Sequence, residues 1–161
     1  MPPEADFVFG YGSLADDYQG AMARLPGHRL TWGVAMDNAE DVPGYKHYVT
    51  LDGERPDVCV CFLDIEPDPA ASVNGVLVAV EDPEQFDRRE RNYVRRDVTE
   101  LIEGAEGRVW AYVGAPEGRR RRREGTAVIS RAYLERVERA LGHAIPTEGL
   151  PVWDLRRVDH P

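Results

Sequence analysis

Two segments of this 161-residue chain place polar and acidic groups where chemistry could use them. The first is Tyr11-Gly12-Ser13-Leu14, directly behind the apolar run Phe7-Val8-Phe9. Gly10 and Gly12 bracket Tyr11, so the backbone can bend sharply there, be approached closely and present its N–H groups. Ser13 adds a hydroxyl that donates or accepts, which suits a carboxylate or a carbonyl oxygen. The same residues also make an ordinary tight turn with no ligand, and on their own they do not separate the two readings.

The second segment runs from Asp82 to Arg95. Asp82 can cap a helix, Pro83 suits its first position, and Gln85 stands at the capping-box spacing. A helix is predicted from Pro83 to about Arg91, with Asn92 as a left-handed terminator, and Val94 to Ile102 read as strand. Phe86 and Glu90 share a helix face, so a core-facing Phe86 carries Glu90 inward with it. Desolvation and the negative end of the helix dipole would then both raise the Glu90 pKa, which suits proton transfer near neutral pH. The competing reading is a solvated Glu90 paired with Arg88, Arg89, Arg91 or Arg95.

Together, Tyr11-Gly12-Ser13-Leu14 after a strand and the later Asp87, Glu90, Tyr93 and Arg95 resemble the γ-glutamylcyclotransferase-like family. Val73 to Val80 looks like the family's strand before the catalytic helix, Val109 to Val113 like the one after it, and Ser130-Arg131-Ala132-Tyr133-Leu134 like the entry of its late helix. Roughly residues 5 to 142 take part. The resemblance implies an enzyme in which a γ-glutamyl amide is cyclised by its own α-amine to 5-oxoproline and a free amine. It implies no cofactor and a small-molecule γ-glutamyl substrate as partner. Carried over by position, Tyr11, Gly12, Ser13 and Leu14 bind the glutamyl moiety, Glu90 is the general acid/base, and Tyr93 and Tyr133 line the pocket. The chain departs from many relatives in lacking an Asn shortly after Ser13 and in following Glu90 with Arg91 rather than glycine. A binding module that keeps the fold without the catalysis is the alternative, and the presence of Glu90 favours the enzyme.

The elements that must position these residues are mostly strands, expected near 7–9, 32–36, 46–51, 58–65, 73–80, 95–102 and 108–113. Arg131 to Leu141 reads as helix, with Ser130 as cap and Gly142 as stop, and Asp64 to Ala71, rich in acids and prolines, reads as a loop. The pattern is an α+β chain, which the resemblance sharpens to a small mixed-strand β-barrel with packed helices. The run Arg119 to Arg123 is expected in a mobile exposed loop, either idle, or a basic lid over an acidic substrate, or a nucleic-acid contact.

Composition sets the outer limits. A chain of this length with 42% apolar residues fits one domain with one core. No apolar run approaches the roughly 20 residues of a membrane span, and Met1 to Asp6 has no secretion-signal character, so a cytoplasmic, membrane-free protein is expected. A net charge of −9 argues against a nucleic-acid surface. Cys59 and Cys61 would share one strand face as buried, unbridged thiols, and the four histidines are scattered, which gives no metal site. Nothing in the sequence sets an oligomeric state.

Overall fold

In the computed structural model, which describes residues 6–160, the chain runs β1 (Asp6–Gly10), α1 (Ser13–Asp17), β2 (Ala21–Asp37), β3 (Lys46–Thr50), β4 (Cys59–Val80), α2 (Pro83–Arg89), β5 (Tyr93–Asp97). A 3-10 turn (Thr99–Leu101), β6 (Arg108–Gly114), α3 (Pro116–Arg120), β7 (Ala127–Ser130), α4 (Arg131–Leu141), β8 (Val152–Trp153) and β9 (Leu155–Asp159) follow. Met1 to Ala5 and Pro161 lie outside the described residues.

Phe7-Val8-Phe9 fit a pleated, half-buried surface, and β1 lies inside a mixed sheet, antiparallel to β4 and parallel to β6. The hydrogen-bonded order is β5-β6-β1-β4-β7-β8, with β2 on β4, while β3 and β9 form a separate antiparallel pair. The architecture is α+β, with parallel and antiparallel pairs in one sheet. In the main core, Val8, Phe9, Leu25, Trp32, Leu63 and Ile129 are each at most 1% exposed. A second cluster, with Met36, Tyr48, Phe62 and Leu155, lies under the β3–β9 pair, and Tyr133 packs against both. Each such side chain, fully buried, contributes about 1.5–3 kcal/mol relative to exposure. Among the described residues no helix is long and apolar enough to cross a membrane.

Asp64 to Ala71, expected as a loop, lies within β4. Asp64 is buried rather than solvated: its carboxylate accepts from Ile65 N and Gly114 N, both at 2.8 Å, and meets Arg119 Nε at 3.0 Å. Pro67 and Pro69 stay compatible with strand because the register against β2 shifts between Pro26 and His28, where Gly27 takes φ 74°.

The helix expected to reach Arg91 stops at Arg89, and Asn92 has no left-handed backbone. Tertiary contacts end it: Asn92 is buried, donates to Tyr45 Oη at 3.2 Å and accepts from Arg121 at 2.8 Å. The strand expected to run to Ile102 ends at Asp97, whose carboxylate caps the 3-10 turn through Thr99 N at 3.0 Å. Arg131 to Leu141 is helical as expected and ends on Gly142 at φ 77°, but the Ser130 hydroxyl makes no capping bond. Cys59 and Cys61 are buried and free, as expected. Two of the scattered histidines meet: His47 Nδ1 on β3 and His160 Nε2, one residue past β9, are 2.9 Å apart.

Arg119 to Arg123 is not a mobile loop. Arg119 and Arg120 belong to α3, Arg119 pairs with Asp64, and Arg122 Nε donates to Trp32 O at 2.8 Å. Arg123 reaches Asp57 at 3.5 Å and Asp37 at 3.7 Å. The repulsion between adjacent cations is offset because each points to a different acceptor.

Candidate active site

The chain turns from β1 into α1 through Tyr11 and Gly12, and close packing dictates the glycines. A Cβ on Gly10 would stand 2.9 Å from Leu14 Cβ, and one on Gly12 would stand 3.0 Å from Tyr133 Oη. Gly75 on β4 backs the turn, where a Cβ would meet Gly10 O at 2.5 Å. Tyr11 and Leu14 are buried, and the Tyr11 hydroxyl donates to Tyr112 O at 2.5 Å. These two anchor the turn, leaving Gly12 and Ser13 partly exposed.

Tyr11, Gly12, Ser13, Leu14, Tyr93 and Tyr133 line a small cleft of about 30 Å³. It adjoins a cavity of about 270 Å³ that shares Ser13, Tyr93 and Tyr133 and adds Glu90. The fold therefore brings all seven sequence-predicted site residues to one place, from the β1–α1 turn, α1, the end of α2, β5 and α4. The two cleft tyrosines are held by one backbone unit: Tyr93 Oη donates to Leu63 O at 2.6 Å, and Leu63 N donates to Tyr133 Oη at 3.3 Å. Burial holds both phenols well above their ordinary pKa, so they are neutral hydroxyls at neutral pH.

Glu90 follows the last residue of α2 and has left helical geometry, with φ −95° and ψ 49°. Phe86 packs against the main core, and the Glu90 carboxylate is only 13% exposed. Burial pushes its pKa above the ordinary value, against the opposing fields of Arg89 and Lys46 and with help from Asp17. Arg89 Nε is 3.6 Å from the carboxylate, a contact too long to neutralise it fully. Both sequence readings of Glu90 are thus partly realised: it is shielded, and it has an arginine neighbour.

The sequence reading missed the charges that brace this site. Asp17, at the end of α1, is gripped by Arg89 and, at 2.7 Å, by Arg136 of α4, which also bonds Asp16 at 2.8 Å. Arg89 reaches Ser13 Oγ at 3.3 Å. The partners of Asp16 and Asp17 lie too far along the chain for spacing to reveal. Lys46 lines the cavity over the Phe62 ring, 4.4 Å from its centroid. Burial lowers its pKa to about 8. Asp87 and Arg95 do not line the cavity; Asp87 accepts from Tyr112 Oη at 2.6 Å and pairs with Arg95 at 3.3 Å.

The sequence profile of the family described as "Gamma-glutamyl cyclotransferase, AIG2-like" matches residues 8–134. No curated protein sequence matches the chain. Among solved structures, one titled "Gamma-glutamyl cyclotransferase" is similar at 18% identity and a TM-score of 0.53, over 85% of this chain and 78% of that one. A yeast γ-glutamyl cyclotransferase described as specific to glutathione is similar at 15% identity and a TM-score of 0.55, over 98% of this chain and 92% of that one. An uncharacterized Homo sapiens protein is similar at 18% identity and a TM-score of 0.53, over 90% and 83%. At these identities the likeness is one of fold.

Proposed function

Because the chain belongs to the AIG2-like γ-glutamyl cyclotransferase family, we propose that it cyclises a γ-glutamyl amide to 5-oxoproline and releases the amine, with Glu90 as general acid/base. The observation that carries this reading is the shielded Glu90 carboxylate with its raised pKa, in a cavity that shares Ser13, Tyr93 and Tyr133 with the Tyr11–Leu14 cleft. A carboxylate whose pKa is raised by burial is a better proton acceptor than a solvated one and can return that proton within one turnover.

The bond changes balance within the substrate. The α-nitrogen bonds the γ-carbon, the γ-carbon–amide nitrogen bond breaks, and the two protons that leave the α-ammonium equal the two gained by the departing nitrogen. Glu90 relays a proton between these nitrogens. Backbone and hydroxyl donors of Gly12 and Ser13 orient the glutamyl end, where intramolecular attack carries an effective molarity of about 10⁵ M or more when well aligned. The neutral hydroxyls of Tyr93 and Tyr133 wall the reacting centre.

Mass spectrometry for 5-oxoproline after incubation with a panel of γ-glutamyl amides tests this. Formation from a free α-amine substrate and none from its N-acetylated analogue is expected. Ligand binding with no turnover of any member of the panel would mark a non-catalytic binding module.

A further inference from the structure

Five cations line the cavity, Lys46, Arg89, Arg91, Arg136 and Arg157, against the carboxylates Asp17 and Glu90, in a chain whose net charge is −9. Arg89 and Arg136 are committed to Asp16 and Asp17, and Arg157 bonds Asp159 at 2.7 Å. Lys46 and Arg91 form no ion pair among the described residues. Both sit over the Tyr45 ring, at 5.5 and 4.7 Å from its centroid, and Lys46 also sits over Phe62. Aromatic faces stabilise a cation but leave its N–H donors unfilled, and a desolvated ammonium that no carboxylate pairs directly, with Glu90 reaching it only through its field, costs folding stability. Lys46 remains mostly protonated at neutral pH, since its pKa is lowered only to about 8. Lys46 stands on β3 of the β3–β9 pair, and Arg91, between α2 and β5, packs on the neighbouring Tyr45, whereas Tyr11–Leu14 form the turn from β1 into α1, with Tyr11 and Leu14 in the main core. With the glutamyl end at Tyr11–Leu14, the cationic wall is left for the amine that departs.

We propose that Lys46, with Arg91 beside it, forms an anion subsite that selects leaving amines carrying a carboxylate. The substrates are then γ-glutamyl amino acids or peptides, in preference to γ-glutamyl derivatives of neutral or cationic amines. The subsite rests on the cyclotransferase reading above. Lys46 and Arg91 are specificity-determining: they touch the departing half of the substrate and not the atoms that react.

The test compares kcat/KM for γ-glutamyl-alanine, γ-glutamyl-alaninamide and γ-glutamyl-ethylamine at low salt, read as 5-oxoproline. All three carry the same α-carboxylate, so a difference between them reports the leaving side alone. The parent protein should prefer γ-glutamyl-alanine over the alaninamide by about tenfold or more, the scale of a charge-assisted hydrogen bond. Lys46→Gln should bring that ratio close to one, and Lys46→Arg should preserve it. Arg91→Gln, a change at the exposed rim, should reduce the ratio and decides the matter if Lys46→Gln does not fold. A ratio near one in the parent, or one unmoved by these variants, overturns the subsite while 5-oxoproline formation leaves the cyclotransferase standing. No 5-oxoproline from any of the three overturns the cyclotransferase reading and the subsite with it.

Discussion

Glu90 sits one residue past α2, shielded enough that its charged form is disfavoured. In the proposed reaction, Glu90→Gln keeps the shape and removes the proton relay, so turnover should fall by roughly 10² to 10⁴, measured as 5-oxoproline formed per enzyme. Near-parental turnover would remove Glu90 from the mechanism. The raised pKa also fixes the direction of the pH profile: activity should drop on acidification with a midpoint above the ordinary 4.5 of glutamate. The stability sign is opposite to that of a salt-bridged carboxylate. A carboxyl that binds its proton more tightly when folded loses stability for the fold as pH rises from the unfolded value through the folded one. Glu90→Gln should therefore melt no lower than the parent at neutral pH, with any gain vanishing below about pH 4.5. Scanning calorimetry across pH checks this. The position of Glu90 was legible because it follows Phe86 by four residues, and its N–H still bonds Phe86 O at 3.0 Å although α2 has ended at Arg89. Lys46 was not, because its burial arises from Tyr45, Tyr48 and Phe62 closing around it, and Phe62 comes from a distant strand.

Among the elements, the β1–α1 turn and β4 are held by close contacts that leave little slack. Gly12→Val places branched carbon where Tyr133 Oη already lies 3.0 Å from a Cβ, so it should impair ligand binding more than Ser13→Ala, which leaves the backbone donors in place. Calorimetric titration with 5-oxoproline ranks the two, and equal affinities would place the glutamyl site elsewhere. In β4, Asp64 satisfies the buried N–H groups of Ile65 and Gly114. Asp64→Ala orphans both, and at about 1–3 kcal/mol for each unsatisfied donor it should lower unfolding stability by at least about 2 kcal/mol in urea titration. Arg119 adds little to that figure, since its side chain is 50% exposed. The pattern of acids and prolines at Asp64 to Ala71 misled the sequence reading because a carboxylate can be buried when the fold supplies donors, and beyond Ile65 N those donors come from β6 and α3. Strands β1, β3 and β6 were legible from their apolar and β-branched content. The short β8 and the exposed β9 carry no such signal, and α1 is only five residues long.

Across the whole molecule, the arginine run ties α3 to strands far away in sequence. Arg119, Arg121, Arg122 and Arg123 engage Asp64, Asn92, Trp32 and Asp57. Replacing all five arginines with serine should thus lower the melting temperature rather than merely free a loop, and a parental melting temperature would return the run to an idle surface. Counter-charges near an arginine in space, not in sequence, decide its role, and that is why the run was illegible. The central claim concerns the reaction, and isotope tracing reaches it most directly. With γ-glutamyl-alanine in ¹⁸O-water, the substrate's own amine is the proposed nucleophile, so 5-oxoproline should appear without label. Glutamate carrying ¹⁸O would show that water attacks instead and would contradict the account.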